Sequence, residues 1–207
     1  IIFGIYLLIP QTVPVLGYHG FYETYNDKVT VYMLDTKTFD KQMNYLHKHH
    51  YHSLSMEEYN CWHERKCKIP RKSVLITMDD GYYNNYKYAL PILKKYDFNA
   101  TMFYVGAYAE SNSNHGEDGY MSLDQIKEAK KEYPLMEFYS HSYNMHDESH
   151  ILTTLTKKDI ENDFNSFKKI DDVKYMAYPY GIYNDTIKDI LKENNYSLAF
   201  LFGPNSK

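Results

Sequence analysis

Cysteine is almost absent: the 207 residues hold two, Cys61 and Cys67. That excludes a four-thiolate zinc site and a multi-bridge scaffold, and leaves one intrachain disulfide or two free thiols as equal alternatives. A basic excess is also missing, because 23 Lys and Arg face 27 Asp and Glu for a net charge of -4. With the lysines spread through segments of helical period, no phosphate-backbone partner is implied, and nucleic acid is not an expected ligand. Long apolar runs are lacking. The opening IIFGIYLLIP is apolar for nine residues, against about 20 for a membrane-crossing helix, and has neither a basic flank nor a small-residue cleavage site. It reads as a buried strand or as the tail of an export signal or anchor over residues 1–11. No repeat, low-complexity tract or linker divides the chain, so one domain over 1–207 is expected. The 24 tyrosines rise together with Asn, Lys and Ile, a bias of composition from which no binding surface is read.

What is present is an alternation of short apolar runs with segments of helical period. Strands are expected at 12–17 (TVPVLG), 73–78 (SVLITM), 99–105 (NATMFYV), 135–140 (LMEFYS), 173–178 (VKYMAY) and 197–202 (SLAFLF), with a short piece near 52–54. Phe39, Met43 and Leu46 fall at i, i+4 and i+7, as do Ile160, Phe164 and Phe167, so each set makes one apolar helical stripe. Ser122 with Gln125 and Thr156 with Asp159 resemble capping boxes. Asn184 precedes a helix whose inward residues are Ile187, Ile190 and Leu191. Residues 83–96 also read as helical, with Pro91 kinking the segment or opening its main part. The β, α, β, α order predicts an α/β fold with a parallel sheet covered by helices, open or closed into a barrel.

Unusual polar residues fall where these strands end. SVLITM runs into Asp79, Asp80 and Gly81; LMEFYS into His141 and His146; VKYMAY into Pro179, Tyr180 and Gly181; TVPVLG into His19. Each has a bland alternative. Paired aspartates before glycine cap helices and turn chains, YPYG is a turn signal, and a histidine after an apolar run is often a rim residue. Histidines five apart do not share a helical face, so a common ligand for His141 and His146 requires an irregular loop. The cluster at His47, His49, His50 and His52 reads as a solvated helix end. The other groups stand out by joint placement, because active sites of parallel α/β proteins are built at the C-terminal ends of strands. Two imidazoles and one carboxylate make a three-ligand zinc set with an open position. The metal lowers the pKa of bound water to about 7 and polarises a carbonyl, and a second carboxylate beside the set can take the water's proton. The chemistry so described is metal-assisted hydrolysis.

The ordered segments TMDDG (77–81), SHSYNMH (140–146) and AYPYG (177–181) resemble the motifs of polysaccharide deacetylases, carbohydrate esterase family four, over about Val13 to Phe202. The five-residue histidine spacing, the AYPYG form and an early PVLxYH segment are most similar to the poly-N-acetylglucosamine deacetylase branch and its Gram-positive relatives. The resemblance implies a distorted (β/α) barrel of about seven strands. It implies Asp79 as catalytic base, Asp80, His141 and His146 as metal ligands, and the Tyr180 backbone N–H as a donor to the oxyanion. Pro179 and Tyr180 would lie along the substrate groove, and Leu16 would help line an acetyl pocket. Two departures stand out. Many members carry arginine where this chain has Ala177, and most carry a late acid histidine, whereas no histidine follows His150 here. In the resembled branch the motif order is permuted, and His19 is the matching acid. An amide nitrogen leaves only once protonated, and histidine suits that near neutral pH.

The expectation is therefore a metal-dependent N-deacetylase using Zn²⁺, or Co²⁺ or Ni²⁺, on a polysaccharide of N-acetylglucosamine, releasing acetate. It is expected as a monomer outside the cell or at its surface, where a segment before residue 1 would make any membrane association. The rivals are deacetylation of peptidoglycan or chitin, and a non-catalytic carbohydrate-binding relative.

Overall fold

The computed structural model describes residues 11–111, 119–147 and 154–202. The apolar opening at 1–10 and residues 112–118, 148–153 and 203–207 lie outside the described residues.

In chain order the elements are β1 (Val15–Tyr18), β2 (Gly20–Tyr22), β3 (Met33–Asp35), α1 (Thr36–Lys48), β4 (His52–Ser53), α2 (Met56–His63), β5 (Ser73–Met78) and α3 (Leu90–Tyr96). There follow β6 (Ala100–Tyr104), α4 (Gly106–Glu110), α5 (Leu123–Glu132), β7 (Met136–Ser140), α6 (Lys157–Ile170), β8 (Tyr175–Ala177), α7 (Asp185–Glu193) and β9 (Leu198–Phe200). The main sheet has seven strands, paired in the order β1, β5, β6, β7, β8, β9, with β4 added along the start of β5. Every pairing is parallel. The expected distorted (β/α) barrel of one domain is the fold observed, open between its first and last strands among the described residues.

Strand alternation separates one core on one side of the sheet from two clusters on the other, the second of these built by Met176 with Ile160, Phe164, Ile187, Ile190 and Leu191. Leu75, Phe103, Tyr175 and Ala177 point to the concave side and pack with Leu54 and Met56, which close its floor. Val74, Ile76, Met78, Ala100, Met102, Met136 and Phe138 point the other way, against the helix faces that carry Phe39, Met43, Leu93, Ile126 and Phe167. All six residues of β5 are buried, which is why SVLITM reads as a continuous apolar run. At the open seam Gly17 is required, since a Cβ there would lie 2.6 Å from the ring of Phe202. Phe202 crosses between the first and last strands at that point.

The helix signals map onto the structure. Capping boxes are formed by Ser122 with Gln125 and by Thr156 with Asp159, and Asn184 accepts from the Ile187 N–H at 2.9 Å. Pro91 sits in the first turn of α3, after an Asn85–Ala89 segment of π-helix, so it opens the main helix, where a missing N–H costs nothing. Two strands lay outside the sequence expectation: β2 and β3 form a separate parallel pair that carries the chain away from His19 and back to α1. Cys61 and Cys67 are paired as a disulfide with Cα atoms 5.5 Å apart. No helix among the described residues is long and apolar enough to cross a membrane.

Candidate functional site

Adjacent parallel strands end side by side, so their terminal residues converge. The Asp79 N–H donates to the Tyr18 carbonyl at 3.0 Å, and the His141 N–H to the Tyr104 carbonyl at 2.9 Å. These bonds carry the β1, β5, β6 and β7 pairings one step beyond the strands, which brings His19, Asp79, Asp80 and His141 to one rim. Beyond β5 the backbone turns through two left-handed residues, Asp80 at φ 74° and Gly81 at φ 80°. Asp is among the few side chains that tolerate this region. Gly81 has no alternative, because a Cβ there would lie 2.7 Å from Tyr104 Cβ. Gly81→Ala is expected to destabilise the fold by about 1–3 kcal/mol, the usual size of such backbone strain. Thermal unfolding reads this as a lowered Tm, and an unchanged Tm would contradict it.

The second motif forms the irregular loop that a shared ligand requires. Ser142 is left-handed at φ 69°, and its hydroxyl accepts from the Met145 N–H at 3.0 Å. The loop turns back on itself and sets His146 beside His141, ring centroids 5.0 Å apart. Asp80 Oδ1 lies 3.4 Å from His141 Nε2 and 3.0 Å from His146 Nε2. One ligand atom from each of the three residues falls within 4.8 Å of the others.

The donor set fits a cation. His141 Nδ1 lies 2.9 Å from the Ala177 carbonyl, which can only accept, so that nitrogen carries the proton. In the neutral ring Nε2 then presents a lone pair toward Asp80, the arrangement found in metal-ligating histidines. Asp80 Oδ1 is buried and makes no hydrogen bond, although two imidazole nitrogens stand close to it. A buried carboxylate oxygen with imidazole nitrogens at 3.0 and 3.4 Å and no well-aligned hydrogen bond is satisfied by a proton or a metal held among the three groups.

Electrostatics follow from the same packing. Burial pushes the Asp79 carboxyl up, and Asp80 adds to this, while His141, His19 and His146 oppose it. For Asp80 burial acts in the same direction, but the two adjacent imidazoles outweigh it and hold the carboxyl well below the usual range. Burial disfavours the charged form of His141, yet Asp80 and Asp79 together raise its affinity for a proton.

His19, half-buried, sits edge-on to Phe202 with centroids 4.6 Å apart and tilted to Tyr32 at 5.5 Å. Tyr180, at φ 56° in the Pro179–Gly181 turn, stacks on His146 at 4.5 Å. Pro179 is buried beneath it. Leu16 is not brought to this group: paired with Ile76 across the sheet, it packs in the core between sheet and helices. Ala177 adds a backbone acceptor for His141 and no side-chain contact to Asp79.

Three tyrosines that sequence reading left aside frame the site. Tyr82 and Tyr120 stack at 5.1 Å, Tyr108 and Tyr120 contact at 4.4 Å, and the Tyr108 hydroxyl donates to the His146 carbonyl at 2.6 Å. Tyr82 follows the DDG turn directly, a position that could have marked it.

With this geometry in view, similarity to known proteins is informative. A family model described as polysaccharide deacetylase matches residues 66–199. The poly-beta-1,6-N-acetyl-D-glucosamine N-deacetylase of Staphylococcus aureus (strain MRSA252) is 32% identical over 185 residues, covering 82% of this chain and 61% of that protein. The chain spans 60% to 67% of the length of the curated relatives it matches. Among solved structures, the Streptococcus pyogenes deacetylase PplD in complex with acetate superposes with a TM-score of 0.79 at 28% identity, over 92% of this chain and 83% of that one. IcaB from Ammonifex degensii shares the fold, with a TM-score of 0.72 at 24% identity, over 92% of this chain and 84% of that one. The matched segment contains the Asp79 and Asp80 turn, the histidine loop and the Tyr180 turn, and on that ground the chain belongs to the polysaccharide deacetylase family.

Proposed function

We propose that this chain is a metal-dependent N-deacetylase that hydrolyses acetamide groups of an N-acetylglucosamine polymer and releases acetate. The observation that carries the reading is the group of buried Asp80, buried His141 and half-buried His146, with its orphaned Asp80 oxygen, beside a second buried carboxylate, Asp79. A bound divalent ion would supply a polarised acetamide carbonyl and a water of lowered pKa. Two nitrogens and one oxygen suit Zn²⁺, with Co²⁺ and Ni²⁺ as alternatives.

The chain's own groups supply the rest. Asp79 takes the proton of the attacking water; burial raises its affinity for a proton, as a base requires, and the histidines around it oppose that rise. The Tyr180 N–H donates to the carbonyl oxygen as it gains charge. His19, an electrostatic partner of Asp79, gives a proton to the nitrogen as the C–N bond breaks, leaving an amine on the sugar. Pro179 fixes the turn that presents Tyr180, and the exposed Tyr180 ring offers a face to the substrate.

Substrate class is supported by the Staphylococcus aureus relative; a separate cavity of about 830 Å³, lined by the β2–β3 segment and reaching the site's frame only at Tyr82, lies to one side of the Asp80, His141 and His146 group. Its walls include Tyr22, Asn26, Asp27 and Asn84, polar and aromatic groups suited to further sugar units. The Cys61–Cys67 disulfide suits an oxidising setting outside the cell or at its surface.

Acetate release from β-1,6-linked N-acetylglucosamine oligomers, with and without a chelator, tests the reading against chitin and peptidoglycan fragments. The expected result is metal-dependent release that rises with oligomer length and is greatest on the β-1,6 series. Saturable sugar binding without acetate release would instead support a non-catalytic relative, and equal or faster release from chitin or peptidoglycan would reassign the polymer.

A further inference from the structure

The apolar stripe of α6 is interrupted. Ile160, Phe164 and Phe167 are buried as their spacing requires, but the position between them on the same face is Asp163, only 9% exposed. A carboxylate in a core position is costly unless its oxygens are paired. Asp163 Oδ1 accepts from the Tyr143 N–H at 2.8 Å and Oδ2 from the Asn144 N–H at 2.7 Å. Both donors lie at the middle of the loop that carries His141 and His146.

Several other backbone groups of that loop have partners elsewhere. The Ser142 N–H donates to Ser140 Oγ at 3.1 Å. The Ser142 and Tyr143 carbonyls accept from the Gly106 and Ala107 N–H groups of α4, at 3.1 and 2.8 Å. Among the described residues, Asp163 is the side chain that accepts from the Tyr143 and Asn144 N–H groups. Nothing in the local sequence would hold two non-helical N–H groups at this spacing, and an unpaired buried N–H would let the turn open. Burial pushes the Asp163 carboxyl up to about 6, against the two N–H bonds that favour its charge.

We propose that Asp163 is a positioning residue for the metal centre: through its paired bonds to the Tyr143 and Asn144 N–H groups, it sets the five-residue span so that both histidines face Asp80. The inference rests on the metal site proposed above and extends it to a residue outside the family motifs. Asp163→Asn keeps the volume but turns an NH₂ donor toward one of the two N–H groups. Partners that orient metal ligands typically change affinity by about 10- to 100-fold when lost.

The test is Zn²⁺ affinity measured by competition with a chromophoric chelator, together with the visible absorption of the Co²⁺-loaded protein and thermal unfolding of the metal-free protein. Asp163→Asn is expected to weaken Zn²⁺ binding by about 10- to 100-fold and to alter the Co²⁺ bands. A lowered metal-free Tm with Zn²⁺ affinity within threefold of wild type and unchanged Co²⁺ bands would reduce Asp163 to a structural role and overturn the proposal. Should Asp163→Asn fail to fold, Asp163→Ser, which keeps one oxygen acceptor, carries the same comparison. A wild-type protein that binds neither ion would overturn the metal site itself, a result distinct from equal binding by wild type and variant.

Discussion

Asp80→Asn is expected to weaken divalent-metal affinity by roughly 10²- to 10³-fold and to bring acetate release to background. Asn is the informative replacement because it tolerates the left-handed backbone at φ 74°, whereas Ala would add strain there. The substitution therefore removes the charge and leaves the turn. Zinc sites bind with about 10–16 kcal/mol in all, so one ligand of about four is worth roughly 3–4 kcal/mol, which is the stated loss in affinity. Thermal unfolding provides a second reading. At a metal concentration about 100 times the wild-type Kd, binding stabilises the fold by about 2.7 kcal/mol, and after a 100-fold loss the same concentration gives about 0.4 kcal/mol. A variant that kept the full metal-induced rise in Tm would remove Asp80 from the ligand set.

His19→Ala is expected to keep metal binding and to lose roughly 10² to 10⁴ in kcat, the usual contribution of a general acid. The ring also packs against Phe202 and Tyr32, so truncation alone mixes lost packing with lost chemistry. His19→Phe separates the two, since it keeps an aromatic ring in that contact and has no proton to give. Both variants should show the same deficit in kcat, with Zn²⁺ affinity near wild type. If His19→Phe retained near-normal turnover, the ring would be a packing element and the acid would have to be sought elsewhere. The proposed role matters because the leaving nitrogen cannot depart as an amide anion, and among the described residues His19 is the histidine near Asp79 that lies outside the metal-ligand group.

Much of the fold was legible because its signals are local or strictly periodic. The stripes of α1 and α6, the capping boxes of α5 and α6 and the uninterrupted β5 run each report a single physical requirement, burial or satisfaction of terminal N–H groups. The strand-end placement of Asp79, His141, Tyr180 and His19 was legible for the same reason, since parallel topology gathers strand ends on one rim. What escaped reading depends on tertiary contact. β2 and β3 (GFY and MLD) are three residues each and stand outside any longer apolar run, unlike β8 and β9, which are equally short but lie inside the runs at 173–178 and 197–202. Tyr108 and Tyr120 reach the site from separate segments, and nothing in their neighbourhoods marks them among 24 tyrosines. Leu16 was assigned toward an acetyl pocket by motif likeness, but strand alternation gives it the side of Ile76. Asp163 did leave a signal, a charged residue at a core position of a helical stripe, whose partners lie 19 and 20 residues earlier in the chain.

The most direct test of the account is a crystal structure of the Zn²⁺-loaded protein with acetate. One ion bound by Asp80, His141 and His146 is predicted, with acetate at its open position, Asp79 and His19 on either side of the acetate carbon, and the Tyr180 N–H directed at an acetate oxygen. An ion held by other residues, or a His19 ring turned away from the acetate, would contradict it.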